Sequence, residues 1–308
     1  MQTSIYDCVI IGGGPAGYTG ALYCARAGLS VLVLEQMTPG GQMATTGTID
    51  NYPGFADGID GFQLGEQMQK GAHRFGVQTK FEKVTAVDLA KDVKTITTDR
   101  GVWQAKTVML ATGAVPRRLG LESETRLRGR GVSYCATCDG MFFKDKTVAV
   151  IGGGNSAAED ALFLSKVCKK VYLVHRRDTL RAAKVYQTAL EHANVTFLWN
   201  SRVCEILGDQ QVTGIQIADG ITGEQQNIDC NGVFVAIGRD PDTALFKAQI
   251  KTDNAGYIMA DETTKTNLPG VFAIGDVRTK PLRQVVTAAA DGAVASKFVE
   301  EFLSTQHI

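Results

Sequence analysis

The chain has 308 residues, with 32 Lys and Arg balanced by 32 Asp and Glu. At roughly 150 residues per domain this predicts about two domains, and the balanced charge gives nucleic acid no basic footprint. The 44% hydrophobic content excludes a disordered chain, no apolar run reaches the ~18 residues of a membrane span, and residues 1–7, without Lys or Arg, do not read as a secretory signal.

Residues 6–11 (Tyr-Asp-Cys-Val-Ile-Ile) read as a buried parallel strand. The strand runs into Gly12-Gly13-Gly14-Pro15-Ala16-Gly17, then a helix to about Ala27, then a second strand, Val31 to Leu34, ending at Glu35. Residues 107–113 form another apolar strand that closes on Ala111-Thr112-Gly113. The pattern then repeats with an offset of 140: residues 146–151 run into Gly152-Gly153-Gly154-Asn155-Ser156-Ala157, a helix reaches about Val167, and strands 171–174 and 232–238 follow, the last ending at Ile237-Gly238. A G-x-G-x-x-G/A that leaves a strand and opens a helix is a dinucleotide-binding turn. The first and second glycines allow the tight turn and the approach of a pyrophosphate, and the third small residue allows close helix–sheet packing. The fold class expected is α/β, with two Rossmann-like domains of three layers (ββα).

The residue at the end of the second strand separates the two turns. Glu35, 23 residues after Gly12, can accept hydrogen bonds from both ribose hydroxyls of an adenosine and repels a 2′-phosphate. The corresponding position after Gly152 is His175, followed by Arg176, Arg177 and Arg181; this basic set suits a 2′-phosphate and hence NADP. Residues 267–276 form a late strand ending in Gly275-Asp276, and a long helix runs from Gln284 to about Phe302. A carboxylate at that strand end can hold a polyol, which FAD has and NAD lacks. The expected order is FAD-binding residues 1–115, an inserted NADPH-binding domain at 116–241, and FAD-binding residues 242–308.

Seven cysteines are spread thinly, which argues for a reducing compartment with one special pair. Cys135-Ala136-Thr137-Cys138 is the single C-x-x-C. A zinc site needs four ligands, and the nearest further Cys and His, Cys168 and His175, are 30 and 37 residues beyond Cys138. A pair of buried structural thiols is a second reading. A redox-active dithiol is preferred, because a disulfide is a two-electron acceptor suited to a chain with a hydride-donor site and a flavin site, and Asp139 adjoins Cys138 as a proton donor and acceptor. Cys8, Cys24, Cys168, Cys204 and Cys230 read as inert thiols.

Over essentially its whole length the sequence resembles the low-molecular-weight, bacterial-type thioredoxin reductases. The matching stretches are the two glycine turns, Pro39-Gly40-Gly41-Gln42, Asn51-Tyr52-Pro53-Gly54, Ala111-Thr112-Gly113-Ala114, residues 131–140 around the C-x-x-C, His175-Arg176-Arg177, Gly275-Asp276, Arg283-Gln284 and residues 288–292. Ala290, where a Gly is more usual, is a small departure. In the glutathione-reductase branch the redox pair lies soon after the adenosine-ribose acid, where this chain has Thr38-Pro39-Gly40-Gly41-Gln42 and no Cys.

The resemblance implies a cytoplasmic homodimer with one FAD per subunit, NADPH as donor and thioredoxin as partner. It assigns Cys138 to the flavin side, Cys135 to attack on thioredoxin, and Asp139 to acid–base work. It places Gly12, Gly14, Pro15, Ala16, Glu35, Gln36, Gly41, Gln42, Asn51, Val84, Ala111, Thr112, Gly113, Gly275, Asp276, Arg283, Gln284, Val285 and Ala288 around FAD. Around NADPH it places Gly152, Gly154, Asn155, Ser156, Ala157, His175, Arg176, Arg177, Arg181, Ile237 and Gly238. Only two crossings join the domains, near residues 114–116 and 238–241, and both contain turn formers. They predict a hinge that presents nicotinamide and disulfide in turn. Met141-Phe142-Phe143 reads either as an apolar contact for thioredoxin or as a core turn. Two alternatives remain: the reductase of a peroxiredoxin, whose extra N-terminal thioredoxin-like domains do not fit before Tyr6, and a flavin-binding sensor without turnover, against which the intact Cys135, Cys138 and Asp139 argue.

Overall fold

A computed structural model of the chain describes residues 5–45 and 48–305. The chain divides into two compact units, residues 1–115 with 240–308, and residues 116–239. The crossing segments Ala114–Pro116 and Arg239–Pro241 pair with each other as a two-stranded sheet.

In the first unit the apolar runs become parallel strands because both of their faces are buried. Ile5–Ile11 lies between Val31–Glu35 and Val102–Leu110. Gln78–Phe81 and Val271–Ala273 extend the sheet on either side. Alternation sends Cys8, Ile10, Val31, Val33 and Met109 to one face, against helices Pro15–Arg26 and Val285–Thr305. Val9, Ile11, Leu32, Leu34, Val108 and Leu110 face the other way, onto Val84, Ile96 and Phe246. Part of that second cover is an antiparallel meander, Val84–Asp88 and Lys94–Thr98, which pairs with the first half of the long strand Val102–Leu110.

The second unit repeats the plan. Thr147–Gly152 lies between Lys170–Val174 and Gly232–Ala236, with Val195–Leu198 and Val132–Ser133 at the edges, all parallel. Val148, Val150, Leu173 and Phe234 pack on Ala157, Ala161 and Leu164 of helix Asn155–Ser165. Ala149, Ile151, Val233 and Val235 pack on Val203, Ile206, Ile215 and Ile217 of the antiparallel strands Ser201–Leu207 and Gly214–Asp219. Each unit is therefore a ββα sandwich, as expected from the sequence. The strand expected over 267–276 shrinks to Val271–Ala273, because Gly275–Val277 turns as a 3-10 helix. Among the described residues no helix is long and apolar enough to cross a membrane.

A buried ion cluster fixes the C-terminal segment of the first unit. Asp291, 6% exposed on the long helix, receives Arg278 Nε and Nη2 at 2.9 and 2.8 Å, Lys280 Nζ at 2.8 Å and the Gly275 amide at 2.8 Å. Burial alone raises the Asp291 carboxyl, but the hydrogen bonds from Arg278 and Lys280 together outweigh it and hold the group below its ordinary value. Asp291→Asn leaves two buried cations short of a counter-charge and should cost about 3 kcal/mol near neutral pH, measured by urea unfolding. A carboxyl depressed in the folded state stabilises above its unfolded pKa of 3.8 and loses that contribution as pH falls through the folded value. The gap between wild type and Asp291→Asn should therefore close in strong acid, and a gap independent of pH would refute the ionic account.

Candidate active site

The strand–turn–helix units form because their first glycines lack a side chain. Gly12 has φ +109°, and a Cβ there would lie 2.3 Å from the Ala111 carbonyl oxygen; at Gly152 the matching distance to the Ala236 oxygen is 2.4 Å. A Cβ on Gly17 would lie 2.0 Å from the Gly12 oxygen. The second unit has fully buried Ala157 there instead. Gly14 and Gly154 are the N-caps of their helices, and neither helix has a side-chain cap. The first amides of each helix are thus offered to a ligand. A Cβ at Gly14 or Gly154 would meet nothing within 4 Å. Bare amides facing open space fit a pyrophosphate at both turns.

Glu35 lies beside the first turn. Its Oε2 accepts the Gly13 amide at 2.6 Å, and its Oε1 accepts those of Gln36 and Met37 at 2.8 and 3.1 Å. Oε1 uses both of its lone pairs in these bonds, and Oε2 keeps one for a ribose hydroxyl. The rest of the first set converges on the same strand ends. Gly40 donates to the Gly13 carbonyl at 2.8 Å, and Gly41 abuts Gly14. Gln42 donates through its side chain to the Ala114 carbonyl, beside Gly113. Thr112 Oγ1 donates to the Asp242 carbonyl at 2.6 Å. Gly275 lies against Ala16 and Ala288 and begins the 3-10 turn that carries Asp276. Arg283 Nε donates to the Asp276 carbonyl at 3.3 Å, while its guanidinium stacks 3.9 Å from the Tyr257 ring centroid. Asn51 Nδ2 donates to Gln284 Oε1 at 3.1 Å, just before Val285. Val84 is the outlier. It is buried in the core as the first residue of the meander, two residues from Glu82, whose amide donates to the Glu35 carbonyl at 2.9 Å.

In the second unit the Arg181 amide donates to the Gly153 carbonyl at 2.7 Å, and the Ala183 amide donates to Asn155 Oδ1 at 2.8 Å. These bonds draw the basic segment against the glycine turn and the exposed Ser156. Arg176, Arg177 and Arg181 stand exposed. His175 does not join them. Its ring is 5% exposed and fills the space left by Gly153, where a Cβ would lie 2.1 Å from Cε1. Burial pushes its pKa below the ordinary value, so at neutral pH the ring is an uncharged floor under the turn. Gly238, φ +114°, accepts the Arg117 amide at 3.0 Å through its carbonyl, and Ile237 is half-buried beside it.

Cys135 and Cys138 are joined by a disulfide, with Cα atoms 5.3 Å apart, across the short helix Ala136–Asp139. Both are half-buried. Ser133, which the sequence pattern does not single out, donates from Oγ to Asp139 Oδ2 at 2.6 Å and accepts the Cys135 amide at 3.1 Å. Burial raises the Asp139 pKa, and the Ser133 hydrogen bond opposes the rise. The segment before the pair is held by Tyr134, whose hydroxyl donates to buried Glu124 at 2.9 Å and whose carbonyl accepts Arg239 Nη2 at 3.3 Å. Beyond it, Met141 and Phe142 are 54% and 50% exposed, whereas Phe143 packs edge-on against Phe234. Phe143 therefore fits the core-turn reading, while Met141 and Phe142 stand outside the core.

The profile of the pyridine nucleotide-disulphide oxidoreductases matches residues 6–292. The chain is 48% identical over 307 residues to a thioredoxin reductase of Streptomyces coelicolor, covering 98% of this chain and 95% of that one. It is 46% identical to a thioredoxin reductase of Mycolicibacterium smegmatis, covering 99% and 100%. The crystal structure of thioredoxin reductase from Streptococcus pyogenes aligns with a TM-score of 0.91 at 44% identity, covering 99% and 100%.

Gly154→Val tests the second cradle. The added side chain enters open space at an extended N-cap, so the melting temperature should stay within a few degrees of wild type. It occupies the room of the phosphates, so dinucleotide affinity by calorimetry should fall more than tenfold. Unchanged affinity would remove this turn from the binding site.

Proposed function

The chain belongs to the pyridine nucleotide-disulphide oxidoreductases, in the thioredoxin reductase family, and from that membership we propose that it reduces the active disulfide of a thioredoxin. It is an NADPH-dependent flavoprotein disulfide reductase that takes FAD and NADPH. The observation that carries the thioredoxin reading is the Cys135–Cys138 disulfide, with Asp139 beside it, in the unit that holds the arginine-flanked cradle.

FAD, when bound, supplies two-electron transfer between the nicotinamide and the disulfide. The chain's own residues do the rest. In this reading the helix amides behind Gly14 hold the FAD pyrophosphate, Glu35 holds the adenosine ribose and Asp276 the ribitol. Gly154 and the helix it caps take the NADPH pyrophosphate, and Arg176, Arg177 and Arg181 take the 2′-phosphate through charge-assisted hydrogen bonds. Opening the disulfide requires two electrons and two protons to give two thiols, and Asp139 donates one of the protons. The Cys135 thiolate then attacks one sulfur of the thioredoxin disulfide and forms a mixed disulfide. Cys138 attacks Cys135, re-forms the Cys135–Cys138 bond and releases dithiol thioredoxin.

Exposed Met141 and Phe142 beside the pair support an apolar contact with thioredoxin. The crossings, three residues each, support alternate presentation of nicotinamide and disulfide through hinge motion. A homodimer is proposed from the exposed apolar Leu282, Val286 and Val294, the last two on one face of the long helix. A cytoplasmic location is proposed from the five free thiols.

Two experiments test the proposal. Cys138→Ser should trap a thioredoxin that carries a single reactive Cys as a mixed disulfide, visible on a non-reducing gel, while Cys135→Ser traps little. The reverse pattern would exchange the two roles, and no trapping by either would remove thioredoxin as the substrate. Replacing Arg176 and Arg177 together by Ala should raise KM for NADPH by more than tenfold and barely change NADH kinetics, since each charged hydrogen bond contributes about 1.5–3 kcal/mol. An equal loss with both cofactors would refute the 2′-phosphate assignment.

A further inference from the structure

Ser133 is 6% exposed and ends the two-residue strand Val132–Ser133, at the edge of the parallel sheet. Its hydroxyl has one hydrogen and two lone pairs. The hydrogen goes to Asp139 Oδ2 at 2.6 Å, and a lone pair receives the Cys135 amide at 3.1 Å. The Asp139 amide returns to the Cys135 carbonyl at 3.1 Å. Three hydrogen bonds thus close a ring through Ser133, Cys135 and Asp139, fastened to the sheet at one point.

We propose that Ser133 is a positioning residue of the disulfide reaction: its hydroxyl holds Oδ2 of the Asp139 carboxyl, so that Oδ1 is the atom at which the proton is exchanged with the dithiol. The inference rests on the reading of Asp139 as the proton donor. The reaction itself gives the bond its value. When the S–S bond takes two electrons, supplied by NADPH by way of FAD, the two sulfurs acquire two negative charges. One proton from Asp139 leaves a thiol, a thiolate and a carboxylate. At that moment the Ser133 hydrogen bond changes from one to a neutral acid to one to an anion, and such charge-assisted bonds are about twice as strong. Ser133 therefore favours the proton-donated state. When the dithiol is reoxidised by a partner disulfide, the carboxylate takes the proton back in the same geometry. Burial disfavours the Asp139 carboxylate, and the Ser133 bond is the opposing influence.

The test uses the FAD-loaded protein mixed with NADPH, quenched at short times with an alkylating agent across a range of pH. New Cys135 and Cys138 thiols are counted by mass. Ser133→Ala should slow thiol formation about tenfold, a fraction of what a positioned acid contributes, and should shift the pH profile upward, because the carboxyl has lost the donor that favoured its ionised form. Ser133→Thr should restore both. Ser133→Ala combined with Asp139→Asn should be no slower than Asp139→Asn alone. If Ser133→Ala does not accumulate as folded protein, the nearly isosteric pair Ser133→Thr and Ser133→Val carries the same comparison. A wild-type rate and profile in Ser133→Ala, or the same loss in the Thr and Val variants, overturns the role of Ser133 while a slow Asp139→Asn leaves the acid in place. An unaffected Asp139→Asn overturns the acid itself, and the Ser133 role with it.

Discussion

A helix can start directly on the end of a central strand only where backbone meets backbone at closer than side-chain distance. In the first unit that demand falls on Gly12 and Gly17, where an added Cβ would lie 2.3 Å from the Ala111 oxygen and 2.0 Å from the Gly12 oxygen. The site follows from it. The close approach places the uncapped N-termini of Pro15–Arg26 and Asn155–Ser165 at the ends of central strands. It also leaves Gly14 and Gly154 beside empty space. Two sites of the same geometry arise from one packing constraint met twice.

The two turns diverge at the residue under the middle glycine. Beneath Gly13 stands the Glu35 carboxylate, which accepts three backbone amides and keeps one lone pair, on Oε2. Beneath Gly153 stands the His175 ring, uncharged and covered. A carboxylate at that point repels a second phosphate. A neutral ring allows the exposed arginines that follow it to set the sign of the surface. In the proposed reading, discrimination between the two dinucleotides comes from the residue under the middle glycine, which sets what the pocket does not repel, together with exposed arginines that set what it attracts.

Much of this was legible in the sequence because it is local. The glycine turns, Glu35, the arginines and Cys135–Asp139 each lie within a few residues of a strand end, and strand periodicity places them. What escaped depends on contacts across the fold. Ser133 reaches Asp139 only because the intervening residues turn back as a short helix. His175 looks like part of a basic cluster until the missing Cβ of Gly153 receives its ring. The Asp291 cluster joins two residues of a loop to a helix beyond it, and no spacing rule anticipates a buried triad. Val84 shows the converse case: its strand is core, and its place near Glu35 comes from the neighbouring Glu82 amide.

Burial also divides the work among groups of the same chemical type. The nucleophile in disulfide exchange is the thiolate. Burial pushes Cys168 up to about 11 and Cys230 up to about 12, and the hydrogen bond with Cys8, with burial, raises Cys24 further. These three thiols stay protonated near neutral pH, whereas the half-exposed Cys135 and Cys138 sulfurs are held as a disulfide. The aspartates divide in the same way. Asp291 and Asp139 are both withdrawn from water, which alone raises each carboxyl. Arg278 and Lys280 reverse the effect at Asp291, so it remains charged and serves as an anchor. Asp139 has a hydroxyl where Asp291 has two cations, and a hydroxyl only moderates the rise. A carboxyl of that kind can hold a proton and release it, which a group clamped by two positive charges cannot do.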